Sequence, residues 1–299
     1  MFQFGRFDEI CSTLSLTLCP LVGPATTRTV PMCYSRNVDI GGFLIFQPGS
    51  FAMYMVTLVM TIIMIYNIKV KYTAVGRKEM VMFFYFYTAT TLLEMLLIAG
   101  IIPISSILYK YFAAGHMGLI SATVWCLLLN GFVGFQWAED GTPLSLWSMR
   151  VSSFLVLGVM SFIAFATFDD LLGIFDSNKP LILWIVYFFF NGAAMCIYFI
   201  LQVLLVVNTL DDLWPLGGII FAGISFVAGQ VALLLFSREI CETTSHYLDG
   251  LFLSVLCSLF AVMMIYKYWD SITRDDLEYT VDCRTDQWEL NGAMNSSKQ

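Results

Sequence analysis

Charge is scarce in this sequence: 12% of its 299 residues are Asp, Glu, Lys or Arg, against roughly a quarter in a soluble domain, while 59% are hydrophobic. That balance excludes a water-soluble domain and puts the chain in a lipid bilayer. Lys and Arg number 15 and are scattered, so no clustered basic surface exists to neutralise a phosphate backbone, and nucleic acid is excluded as a partner. Histidine is scarcer still. A membrane zinc hydrolase needs about three with a carboxylate, whereas only His116 and His246 are present, neither in an HxxxH spacing; no metal or other cofactor is expected. Eight cysteines are too few for a disulfide scaffold at this length. Proline is absent from the middle of every long apolar run: Pro48, Pro103, Pro143, Pro180 and Pro215 all fall at run ends. The helices are therefore expected to be unbroken, which weakens a transporter reading built on discontinuous helices.

What is abundant is apolar sequence of bilayer length. Seven runs of about 20 residues stand out, at 50–68, 80–102, 113–136, 147–168, 181–206, 215–236 and 249–268. They lack the alternation of a membrane barrel, so the expected fold is all-α, a bundle of seven transmembrane helices. MFQFGRFDEI carries no cleavable-signal pattern, and targeting is expected from a retained span. Lys69, Lys71, Arg77 and Lys78 follow the first span, and positive residues stay cytosolic, which places the N-terminus lumenal or extracellular and the C-terminus in the cytosol. The chain then divides into a lumenal N-terminal segment (1–49), the transmembrane domain (50–268) and a flexible acidic cytosolic tail (269–299).

With that topology Cys11, Cys19, Cys33 and Cys241 share the oxidising side. Cys126, Cys196 and Cys257 lie in spans, and Cys283 is cytosolic. Four such thiols allow two bridges in any of three pairings, and a link from the N-terminal segment to Cys241 would staple it to the last lumenal loop. That loop, CETTSHYLDG, crowds Cys241, Glu242, His246 and Asp249 together. The crowding invites an active-site reading, but without further ligands the stretch reads better as a turn whose polar groups cap helix ends.

Glu94 is the one carboxylate at membrane depth and so a candidate functional residue. Asn130, Asn191, Gln202 and Gln230 are neutral polar residues at depth on other spans. An interior network joining some of them to Glu94 is the plainer explanation, because no second intramembrane acid or base stands out to relay charge. On the sixth span Gly218, Ala222, Ser225, Gly229 and Ala232 line one face. Such a stripe admits another helix closely, from the same bundle or from a client. In the tail, Asp276 and Glu278 frame a D-x-E triplet of the kind coat proteins read at endoplasmic reticulum exit.

Several stretches together resemble one family. FDEICSTLSLTLCPLVG, CYSRNVDI, YNIKVKYTAVGRKE, GFVGFQWAEDGT, FVAGQVALLLFSREICETTSHYLDGLF and MMIYKYWDSITRDDLE, in that order along most of the chain, are similar to the fungal chitin synthase export chaperones. The resemblance implies a non-enzymatic, multi-pass protein of the endoplasmic reticulum membrane that helps a chitin synthase fold and leave for the cell surface, in some members travelling with it to the plasma membrane. Its implied partner is the client synthase, and it supplies no catalytic residues; coat proteins of export vesicles are the partners expected from the tail triplet, and the lipid bilayer is the one expected from the apolar spans. Two other classes compete. A seven-span receptor shares the span count and orientation but not an NPxxY-like motif in the last span. A transporter or membrane enzyme would have to be built on Glu94 or the 241–250 cluster.

Overall fold

The computed structural model describes residues 5, 7–14, 16–23, 33, 35–40, 43–72, 74–135, 142–171, 175–209 and 213–296, without the side chains of 9, 40, 43, 209 and 274–296. The N-terminal segment holds helix α1 (Asp8–Thr13), a 3-10 turn (Cys19–Leu21) and a small hairpin of β1 (Val38–Ile40) and β2 (Phe43–Ile45), paired antiparallel with Val38 opposite Ile45. The long helices follow: α2 (Pro48–Val70), α3 (Arg77–Ile98), α4 (Ile107–Val133), α5 (Pro143–Phe168), α6 (Leu181–Trp184) continuing through a π-helix (Ile185–Phe190) into α7 (Asn191–Thr209), then α8 (Trp214–Leu234), the short α9 (Ser237–Thr243) and α10 (Gly250–Ser296). Among the described residues, seven stretches are long and apolar enough to cross a membrane, the fifth being Leu181–Asn208 and the seventh Gly250–Thr273. Past Thr273 the backbone stays helical to Ser296, through the stretch assigned above to the tail.

Local chemistry sets the helix starts. Pro48, Pro143 and Pro215 occupy first-turn positions, where the missing N–H has no helical partner to lose. Ser106 caps α4 by accepting from Leu108 N at 3.2 Å, and Thr142 caps α5 by accepting from Ser145 N at 3.4 Å. Gly100, just past α3, has φ +74 and Phe46 packed where a Cβ would stand, so a side chain is excluded on both counts. Helix α4 begins six residues before the apolar run at 113 because Lys110 is neutralised by Asp169 at 2.7 Å and lies over the Tyr111 and Phe165 rings. The fifth span stays one continuous helix, as expected of unbroken spans, but changes its hydrogen-bond register within it. No proline is involved; the π-helix falls in the bulky run IVYFFF, and its wider turn rotates the face presented by α7 relative to α6.

Packing closes α2, α3, α4, α7, α8 and α10 into a ring, each against the next and α10 back on α2, with α5 laid against α4. Flanked on three sides, α4 is the most enclosed of the seven. The ring interior holds Met64, Ile68, Phe83, Phe84, Ala122, Cys126, Tyr198, Val262 and Trp269. At the end where α3 finishes and α4 starts, the N-terminal segment fills the ring as a plug: Phe7, Ile10, Leu14 and Leu18 are at most 3% exposed and pack with Tyr54, Met117, Leu183 and Leu251. Phe7 meets the π-helix directly, its ring 6.3 Å from that of Tyr187 and 6.0 Å from that of Phe188. Cys11 is bonded to Cys19 within the plug, and Cys33 to Cys241 across 208 residues, tying the segment to α9.

Candidate functional site

Glu94, on the last turn of α3, does not stand alone at depth. Its Oε2 lies 3.8 Å from Nε2 of His116 on α4, a side chain only 2% exposed. A second ionisable group is thus present, and the expectation that none was at hand is corrected. On its other side the imidazole meets the plug: Nδ1 is 3.1 Å from Thr17 Oγ1, and the Thr17 carbonyl accepts from Tyr109 OH at 2.9 Å. Tyr54, Tyr87 and Tyr187 lie within electrostatic reach of the Glu94 carboxylate. The π-helix carries Tyr187 to this place. Leu16, Thr17, Leu18, Ile98, Met117 and Ile120 complete a cavity of about 20 Å³ around the pair. That volume suits one water-sized group and is far too small for a substrate of several atoms.

The other polar residues at depth form separate sites rather than one network with Glu94. Asn130 Nδ2 donates to the carbonyls of Cys126 at 2.9 Å and Glu79 at 3.4 Å. Asn191 Nδ2 donates to the Tyr187 carbonyl at 3.1 Å, and Gln202 Oε1 accepts from Tyr268 OH at 2.8 Å. Gln230 is half-buried on α8. Each bonded group answers the backbone or a neighbouring helix where it sits, as burial in an apolar medium demands.

The stripe on α8 faces α10 of the same chain. A Cβ on Gly229 would stand 2.9 Å from Cys257 Cβ and 3.3 Å from the Ser254 carbonyl, and one on Gly218 would touch Met264 and Tyr268 at 3.9 Å. Ala222 is buried in the ring core, and Ser225 and Ala232 are half-buried. Of the two partners a small-residue face admits, the bundle's own helix occupies this one.

In the 241–250 stretch the polar groups have definite employment. Asp249 Oδ1 caps α10 by accepting from Phe252 N at 3.0 Å and also accepts from Ser50 Oγ on α2 at 3.1 Å. Glu242 pairs with Arg238 at 2.8 Å, a contact that raises the guanidinium's already high pKa. His246 lies against the Cys33–Cys241 bond. The side chains of Asp276, Glu278 and Cys283 fall outside the described residues.

A family model described as chitin synthase export chaperone matches residues 3–283. A Neurospora crassa protein of that name is 47% identical over 295 residues, covering 97% of this chain and 82% of its own length. One from Fusarium oxysporum is 48% identical over 295 residues, with 97% and 88% covered. One from Cryptococcus neoformans is 47% identical over 293 residues, with 98% and 81% covered. No solved structure matches. Identity of that degree, continuous from the plug through the seventh span, shows that the chain belongs to the chitin synthase export chaperone family.

Proposed function

We propose that this protein is a membrane-embedded chaperone that assists the folding and endoplasmic reticulum export of a chitin synthase, and so supports cell-wall chitin synthesis. The observation that carries this reading is the family match over residues 3–283, with relatives of that name aligned along nearly the whole chain. The family is a chaperone family, not a catalytic one. The small size of the Glu94–His116 cavity supports the same reading. The client synthase is met within the bilayer, and with α10 against the α8 stripe that face is closed to it. Deleting the gene and imaging a tagged synthase tests the proposal: the synthase is expected to accumulate in the endoplasmic reticulum with reduced wall chitin. Normal surface delivery and normal chitin would refute it.

Export by coat proteins is assigned to the Asp276–Glu278 triplet. Changing both residues to Ala should slow departure of the tagged chaperone from the endoplasmic reticulum in a vesicle-budding assay, without altering its span packing. Unchanged budding would remove the triplet from the account.

A further inference from the structure

Where the N-terminal segment meets α9, Cys33 Sγ, Cys241 Sγ and a His246 ring nitrogen lie within 4.8 Å of one another. The sulfurs are bonded to each other, so neither offers a metal a thiolate, and an imidazole is left beside a disulfide. Its Nδ1 is 3.1 Å from Cys33 Sγ and 3.6 Å from Cys241 Sγ. The backbone is bent to put it there. Ser245 and His246 are consecutive residues at φ 55 and 66, a left-handed conformation that non-glycine residues adopt only at an energetic cost. Two hydrogen bonds hold it, His246 N to the Cys241 carbonyl and Arg36 N to the His246 carbonyl, both 2.9 Å. The charged neighbours are engaged elsewhere: Glu242 with Arg238, Asp249 with Ser50 and Phe252 N, and Arg36 over the Tyr247 ring.

We infer that Cys33–Cys241 is a thiol-exchange site, that His246 is the acid assisting its leaving sulfur, and that its substrate is a small thiol of the glutathione type. Cys33 is 7% exposed and Cys241 is fully enclosed, so attack falls on Cys33, through an opening that suits a small thiol better than a cysteine on a folded protein. The thiolate attacks Cys33 Sγ, forming a mixed disulfide as the Cys33–Cys241 bond breaks. The incoming sulfur is oxidised and Cys241 is reduced, leaving as a thiolate. Imidazolium Nδ1–H donates its proton to that thiolate, and the exposed ring is reprotonated from solvent. Exchange unties the N-terminal segment from α9 while Cys11–Cys19 keeps the plug's own bridge. None of this rests on the chaperone reading.

The molecule carries its own control, since Cys11 and Cys19 are 2% and 5% exposed and their bridge has no imidazole contact among the described residues. Purified protein is incubated with glutathione, quenched with an alkylating agent and mapped by peptide mass spectrometry over time. Cys33–Cys241 is expected to open roughly tenfold faster than Cys11–Cys19. His246→Asn, which tolerates the left-handed backbone, should bring the two rates to within about twofold. Equal rates in the unsubstituted protein overturn the inference without recourse to any variant, as does a preference that survives His246→Asn.

Discussion

Gly229 shows how much a single residue decides when helices touch backbone to backbone. With Cys257 Cβ 2.9 Å from where its own Cβ would stand, even a methyl forces α8 and α10 apart. Gly229→Leu should destabilise the protein by about 1–3 kcal/mol as an overpacked core does, read as a lower midpoint of thermal unfolding in detergent. Gly217, on the same helix with open space around it, should accept Leu without loss. Equal behaviour of the two variants would show that the seam does not hold the bundle together. At Glu94 and His116 the argument is polar. His116→Leu strips Thr17 of its ring partner and leaves the carboxylate without its imidazole, a loss of about 1–3 kcal/mol. Glu94→Gln, similar in volume and uncharged, should be milder. If the two groups act as a pair, the double variant will be less destabilised than the sum of the singles; simple additivity in the same unfolding assay would separate them.

Among the elements, the plug carries the most consequence for its length. Helix α1 has six residues, far too few to be stable alone, so it persists because Phe7, Ile10, Leu14 and Leu18 are buried in the ring mouth and Cys11–Cys19 shortens the chain between them. Leu18→Ala should cost about 2–4 kcal/mol and make the segment before β1 an early site of limited proteolysis; an unchanged cleavage pattern would mean the plug is held by its bridges alone. Its stripe was visible in the sequence, yet a length criterion tuned to bilayer spans passes over so short a run. The seven spans were legible because a bilayer imposes composition over about 20 residues at a time. The π-helix was not, since nothing in IVYFFF distinguishes one helical hydrogen-bond register from another. Nor was the meeting of Glu94 with His116, because relative helix rotation is fixed by packing such as Phe7 on Tyr187 and not by either span alone. The α8 stripe announced a close neighbour without saying which, and only α10's position answers that.

For the molecule as a whole, the described basic residues are more numerous at one end of the bundle than at the other. At the α2–α3 turn Lys69 donates to Tyr85 OH at 2.5 Å, Lys71 is paired with Asp270, Arg77 lies over the Tyr72 ring, and Lys78 and Lys267 add further charge. At the plug end stand Arg36, Lys110, Lys179 and Arg238, of which Lys110 and Arg238 pair with Asp169 and Glu242. The end richer in basic residues next to spans is the one retained on the cytosolic side, and acidic residues count for little in orientation. We propose on this ground that the α2–α3 turn faces the cytosol, with the plug, both bridges and His246 on the opposite, disulfide-permissive side. Tyr72, 81% exposed, and Thr243, on exposed α9, give one reporter at each end. In sealed microsomes a membrane-impermeant maleimide should modify Tyr72→Cys directly and Thr243→Cys only after the membrane is permeabilised. The reverse pattern would invert the bundle and place the Cys33–Cys241 bond in a reducing compartment, where it would not persist.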